Sequence, residues 1–154
     1  MKKNDNIHKH HPHILITLLA AFLITSCGIP NAKNTASGGE SADFSGEWTD
    51  EAGGPTVIDL WRDDAGLWHG EISRSDTEDS ASFWSFSGEG NGDTISYSDM
   101  QRVRGLYDEE GEVTEESIYT DGSGKLILTE QRLSWQDDKE GAGNGLIFIY
   151  SGEY

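Results

Sequence analysis

From Asp43 onward the chain shows no apolar stripe at helical spacing; its apolar residues recur at every second position, in short runs cut by Gly and Asp clusters. Trp68, Gly70 and Ile72 alternate with Leu67, His69 and Glu71, and Trp84 and Phe86 alternate with Ser85 and Ser87. Ile95 and Tyr97 alternate with Thr94, Ser96 and Ser98, and Val103, Gly105 and Tyr107 with Arg102, Arg104 and Leu106. Leu126 and Leu128, then Leu133 and Trp135, keep the same period. A period of two sends one set of side chains to each face of a pleated strand. Turn signals separate the runs at Asp63-Asp64-Ala65-Gly66, Glu89-Gly90-Asn91-Gly92, Asp108-Glu109-Glu110-Gly111 and Asp121-Gly122-Ser123-Gly124. The pattern predicts an all-β domain, an antiparallel up-and-down meander of about 8 to 10 strands, closed as a small barrel or sandwich so that no edge is exposed. Trp48, Trp61, Trp68, Trp84 and Trp135 are expected to supply much of its core. The final run, Leu146 to Tyr150, is apolar on both faces and reads as a strand covered on each side.

A local regularity runs through these strands. An aromatic residue, any residue and then Asp recur at Trp48-Thr49-Asp50, Trp61-Arg62-Asp63, Tyr97-Ser98-Asp99, Tyr119-Thr120-Asp121 and Trp135-Gln136-Asp137. The physical reading is an inward aromatic closing a strand, followed by an Asp that opens a turn by accepting backbone N–H groups. Phe44-Ser45-Gly46-Glu47 also returns as Phe86-Ser87-Gly88-Glu89, which reads as repeated hairpin grammar.

The first residues have a different texture. Lys2, Lys3 and Lys9 make a basic start, and the apolar run Ile14 to Ile24 then leads to Thr25, Ser26 and Cys27. Eleven residues cover about 16 Å as a helix, roughly half of the ~30 Å hydrocarbon core, so a signal-peptide core is favoured over a spanning helix. Leu23-Ile24-Thr25-Ser26-Cys27 resembles the lipobox of bacterial lipoproteins. That resemblance implies cleavage after residue 26, a diacylglycerol on Cys27, and a protein held at the extracytoplasmic face of the cell membrane; an ordinary secretory signal is the alternative. Residues 28 to 42 carry one large aliphatic side chain, Ile29, and no apolar period, and so read as a flexible tether. The expected organisation is therefore a signal peptide at 1–26, a lipidated Cys27 with linker at 27–42, and a β domain at 43–154.

Charge narrows the functional classes. The sequence has 28 acidic and 11 basic side chains and a net charge of −17, and removing three Lys and Asp5 with the signal takes it to −19. Such a chain lacks the clustered cations that phosphate binding needs, which argues against a nucleic-acid partner. It is suited instead to attract a cationic protein or peptide. Cys27 is the only cysteine, so no disulfide scaffold exists. The acids suggest calcium: if odd-numbered strands end at one rim, Asp50, Asp99, Asp121 and Asp137 gather there, with Glu51 and Asp138 beside them. Turn-capping carboxylates are the plainer reading. There is no Gly-x-Ser-x-Gly, phosphate loop or His-Glu-x-x-His, and no catalytic residue is assigned. A Ser-His-Asp arrangement would have to use His69, the one histidine of the domain, which is expected on the solvent face of its strand.

Gly46-Glu47-Trp48 is similar to the Gly-x-Trp that opens the first strand of lipocalins and related calycin barrels, where an arginine packs over the Trp. Arg102, Arg104 and Arg132 are candidates for that arginine. Segments such as Trp84-Ser85-Phe86-Ser87-Gly88 and Ile95-Ser96-Tyr97-Ser98-Asp99 are also similar to uncharacterised lipoproteins of gut Firmicutes, a resemblance that implies a small β domain on a lipid anchor. The expected function is a surface-anchored, non-enzymatic binding or accessory module. The alternatives are a carrier whose hollow interior is lined by Trp68, Trp84, Tyr97 and Trp135, a calcium-binding module, and an enzyme of unknown class.

Overall fold

The computed structural model describes residues 42–152. The expected signal peptide, Cys27 and all but Ala42 of the tether lie outside them. Eight antiparallel strands run in chain order: β1 (Gly46–Asp50), β2 (Thr56–Arg62), β3 (Trp68–Thr77), β4 (Ser80–Asn91), β5 (Thr94–Tyr107), β6 (Val113–Thr129), β7 (Arg132–Asp137) and β8 (Ile147–Gly152). Each pairs with the next, and β8 returns to β1, closing the barrel. The count falls at the lower end of the expected range because Asp121-Gly122-Ser123-Gly124 is not a turn. It lies inside β6, which runs unbroken for 17 residues. Its glycines serve packing: a Cβ on Gly122 would meet the Tyr119 ring, and one on Gly124 would meet the Tyr97 hydroxyl.

An up-and-down barrel has two rims. The near rim holds the start of β1, the end of β8 and the β2–β3, β4–β5 and β6–β7 connections; the far rim holds the other four connections. The β6–β7 hairpin turns on Glu130 and Gln131, both at positive φ (51° and 66°), where Asn-Gly would be the relaxed choice.

Alternation fills the interior. Ile58, Leu60, Trp68, Ile72, Trp84, Ile95, Leu126, Leu133, Trp135 and Phe148 are at most 1% exposed and form one cluster with Phe44, Trp48, Phe86, Tyr97 and Met100. An eight-strand barrel is just wide enough to be packed solid by side chains or to hold one small ligand. Here rings take the space. Trp84 and Trp135 meet edge to face at 5.3 Å, and the Phe86 ring lies where a Cβ on Gly70 would stand. Burying a ring of 150–250 Å² contributes up to roughly 4 to 6 kcal/mol each.

Both mouths are covered. At the near rim Phe44 is fully buried and meets Trp68 edge to face, while its carbonyl accepts from Trp48 Nε1 at 2.9 Å. At the far rim Ala142 and Leu146 of the β7–β8 connection pack on the core, and Gly143 lies against the Trp135 ring. Asp137, 2% exposed, fastens that connection by accepting from the backbone N–H groups of Lys139, Glu140 and Ala142.

Two expectations about the core need correction. Trp61 faces outward, 42% exposed, and stacks on His69, because its neighbours Leu60 and Ile58 take the inward phase of β2. Strand β8 is covered on one face only: Phe148 points inward, while Ile147, Ile149 and Tyr150 stay 36–45% exposed. No arginine lies over Trp48 among the described residues. Tyr150 takes that place at 5.6 Å, while Arg102 lies over Trp84 and Arg132 holds Glu51.

Candidate functional site

Two polar constellations straddle β3 and β4, one near each rim. The first starts in the β2–β3 turn. Asp63 Oδ1 accepts from the Leu67 N–H at 2.9 Å, which fixes the carboxylate, and Oδ2 stands 2.9 Å from His69 Nε2. On the other side of the imidazole, Nδ1 is 3.1 Å from Ser87 Oγ. His69 and Ser87 are direct cross-strand partners, so the β3–β4 register brings them together. The hydrogen bond from His69, helped by the Leu67 N–H, holds the Asp63 carboxyl below its ordinary range. An anionic Asp63 can only accept, so in the neutral imidazole the proton belongs on Nε2 and the Nδ1 lone pair faces the Ser87 hydroxyl. Trp61 stacks on the ring at 5.7 Å with an interplanar angle of 17° and limits its rotation.

Ser87 borders an open depression of about 410 Å³ in the barrel wall, lined also by Leu67, Gly88, Glu89, Ser96, Tyr97, Ser98 and Asp99. The depression exists because β5 carries an extra residue at this level. Tyr97 pairs with Gly124 and Met100 with Gly122, so Ser98 and Asp99 both face outward across one partner. On the other side, the β4–β5 register breaks between Ser85 and Gly88. Such bulges re-aim side chains and interrupt a ladder.

The second constellation lies inside the far rim. Arg74 and Arg102 flank the Trp84 ring at 5.0 and 5.2 Å. Asp76 accepts from Arg74 Nε at 3.1 Å and from Ser82 Oγ at 2.6 Å, Ser82 accepts from Arg102, and Arg102 reaches both oxygens of Glu140 at 2.7 Å. Burial alone would raise the Asp76 carboxyl, but the Ser82 and Arg74 hydrogen bonds and the charges of Arg74 and Arg102 hold it below its ordinary value. Trp84 Nε1 donates to the Tyr119 hydroxyl at 3.1 Å, and burial pushes that phenol up to about 12. Burial likewise raises Tyr97, which accepts from Trp135 Nε1 at 2.8 Å.

These placements sort the residues singled out in the sequence. Trp68, Trp84, Tyr97 and Trp135 all point inward, but they pack on one another and on the core. Asp50 caps the β1–β2 turn through Ala52 N–H, Asp137 is saturated as described, Asp121 is paired with Lys139, and Asp99 stands apart at the depression. Asp121 and Asp99 are mid-strand because β5 and β6 are long. Among the described residues no three His, Cys, Asp or Glu side chains are grouped as a metal ion would need. The sequence reading missed Ser87 as a partner of His69. The signal was the turn at Glu78-Asp79, which folds the Trp68 run onto the Trp84 run and sets 69 opposite 87.

The chain matches no known protein family, no curated protein and no solved structure at a significant level.

Proposed function

We propose that this protein is a surface-anchored lipoprotein displaying an acidic, solid-cored β-barrel that binds a cationic protein or peptide through its rims and outer wall. The observation that carries this reading is where the charge sits. The far-rim connections hold Glu51, Glu78, Asp79, Asp108, Glu109, Glu110, Glu112, Asp138 and Glu140 against the single cation Lys139. Residue 42, which continues the lipid tether, meets the opposite rim, where Ala42 N–H donates to Gly92. An anchor at Cys27 thus feeds the end away from the most acidic surface. Arg74, Arg102, Arg132 and Lys139 are each paired with a carboxylate, which leaves most of the acids without a neutralising partner and gives the rim a negative field.

The calycin-like carrier is the weaker reading, because the rings that would line its cavity fill it. Titrating a fluorescent decalysine peptide into the full-length protein in detergent tests the binding reading. Binding that weakens at least about tenfold as salt shortens the Debye length from about 10 Å to a few Å supports an electrostatic partner. Salt-insensitive binding, or none, contradicts it. Cys27→Ala tests the address: loss from the membrane fraction is expected, and retention there would overturn the anchor.

A further inference from the structure

We propose that Ser87 is a nucleophile for acyl transfer from small carboxylic esters, with His69 as its general base and Asp63 as the residue that orients His69. Three observations carry the proposal. The hydrogen-bond chain Asp63–His69–Ser87 is complete, at 2.9 and 3.1 Å. Its proton placement is the one a base needs, because the anionic Asp63 keeps the proton on Nε2 and the free lone pair meets the serine. The hydroxyl also has somewhere for a substrate to sit: Ser87 borders the 410 Å³ depression, and Gly88 beside it contributes no side chain to the wall. A purely structural serine needs none of this access. Ser82, on the same strand, shows that form: fully buried, with its proton committed to Asp76.

The reaction balances with an ester and water alone. Ser87 Oγ bonds to the ester carbonyl carbon as its proton passes to the Nδ1 lone pair of His69, and the carbonyl π electrons move to oxygen. The tetrahedral adduct collapses, the carbonyl re-forms, the C–O bond to the leaving alcohol breaks, and the Nδ1 proton goes to the departing oxygen. Water, deprotonated by the same Nδ1, then attacks acyl-Ser87; the released carboxylic acid departs and Ser87 regains its proton. Ser96 and Ser98 line the same depression, and their hydroxyls are the donors we assign to the oxyanion. Glu89 and Asp99 make its walls acidic, which selects neutral or cationic esters over anionic ones.

The test is labelling of the full-length protein in detergent with a fluorophosphonate, which loses fluoride as it phosphonylates a nucleophilic serine, followed by peptide mapping. A single adduct on Ser87 is expected, absent in Ser87→Ala, and formed about a hundredfold more slowly in His69→Gln and Asp63→Asn of unchanged melting temperature. Transfer of acetyl from p-nitrophenyl acetate to Ser87 should follow the same order. No adduct, an adduct on another serine, or an unchanged rate in folded His69→Gln overturns the proposal. The two point variants at His69 and Asp63 keep the test valid if Ser87→Ala fails to fold.

Discussion

Ser82 and Ser87 lie five residues apart on one strand, and each stands in a chain that starts at an aspartate, yet the two chains are built for opposite ends. Ser82 points into the barrel, donates to Asp76 and accepts from Arg102, and every member of that chain closes on another protein group or on the Trp84 ring. Ser87 points outward, and among the described residues its hydroxyl meets His69 alone, itself set by Asp63, beside an open depression. The same residue types lock the fold where they are enclosed and stay available to a ligand where they are not. Strand phase decides which: an odd number of residues along β4 moves the hydroxyl from core to wall.

The sharpest way to break this contrast is to remove an enclosed carboxylate. Asp137→Ala removes a buried carboxylate that accepts from three part-buried N–H groups of the far-rim cover, and should cost about 3 kcal/mol by urea unfolding. Asp76→Ala leaves Arg74 without its carboxylate and the buried Ser82 hydroxyl without its acceptor, and a loss of about 2 to 3 kcal/mol is expected in the same assay. Asp63→Asn, at the open chain, should leave the urea midpoint nearly unchanged while it slows Ser87 labelling. Equal destabilisation by Asp63→Asn and Asp76→Ala would erase the distinction between the two chains.

Alkali probes the enclosed side next. The phenols of Tyr97 and Tyr119 are raised from 10.0 by burial, Tyr119 to about 12, so the folded barrel keeps protons that the unfolded chain has released. Their stabilisation is full below about pH 10 and is lost as pH rises through the folded values. Melting temperature should therefore fall between pH 10 and 12, and Tyr97→Phe should flatten that fall. The smallest effect belongs to the near rim. Replacing Glu130-Gln131, both at positive φ, with Asn-Gly relaxes the hairpin and should raise stability by about 1 kcal/mol.

Much of this architecture was legible in the sequence because strand phase is written locally. The alternation at Trp68–Ile72, Trp84–Phe86 and Leu133–Trp135 gave the inward residues, and the Asp after Trp48, Trp61 and Trp135 does open a turn. The same grammar failed at Tyr97 and Tyr119, where Asp99 and Asp121 stay in strands. There Gly122 and Gly124 make room for the Tyr119 and Tyr97 rings, and nothing in the local sequence distinguishes such a glycine from a turn glycine. Trp61 misled for a related reason, since a large ring predicts burial while its neighbours fix its phase. Ser87 was hidden because its role depends on a partner 18 residues away and on a bulge in a third strand.

The two rims also differ in charge, and that difference is the centre of the functional account. The most direct measurement titrates decalysine against two variants of the full-length protein at low salt. One carries Asp108→Asn, Glu109→Gln, Glu110→Gln and Glu112→Gln at the far rim; the other carries Asp64→Asn, Asp93→Asn and Glu130→Gln at the near rim. Binding at least about tenfold weaker is expected for the first variant and little change for the second. Equal weakening, or loss only in the near-rim variant, would contradict the placement of the binding surface.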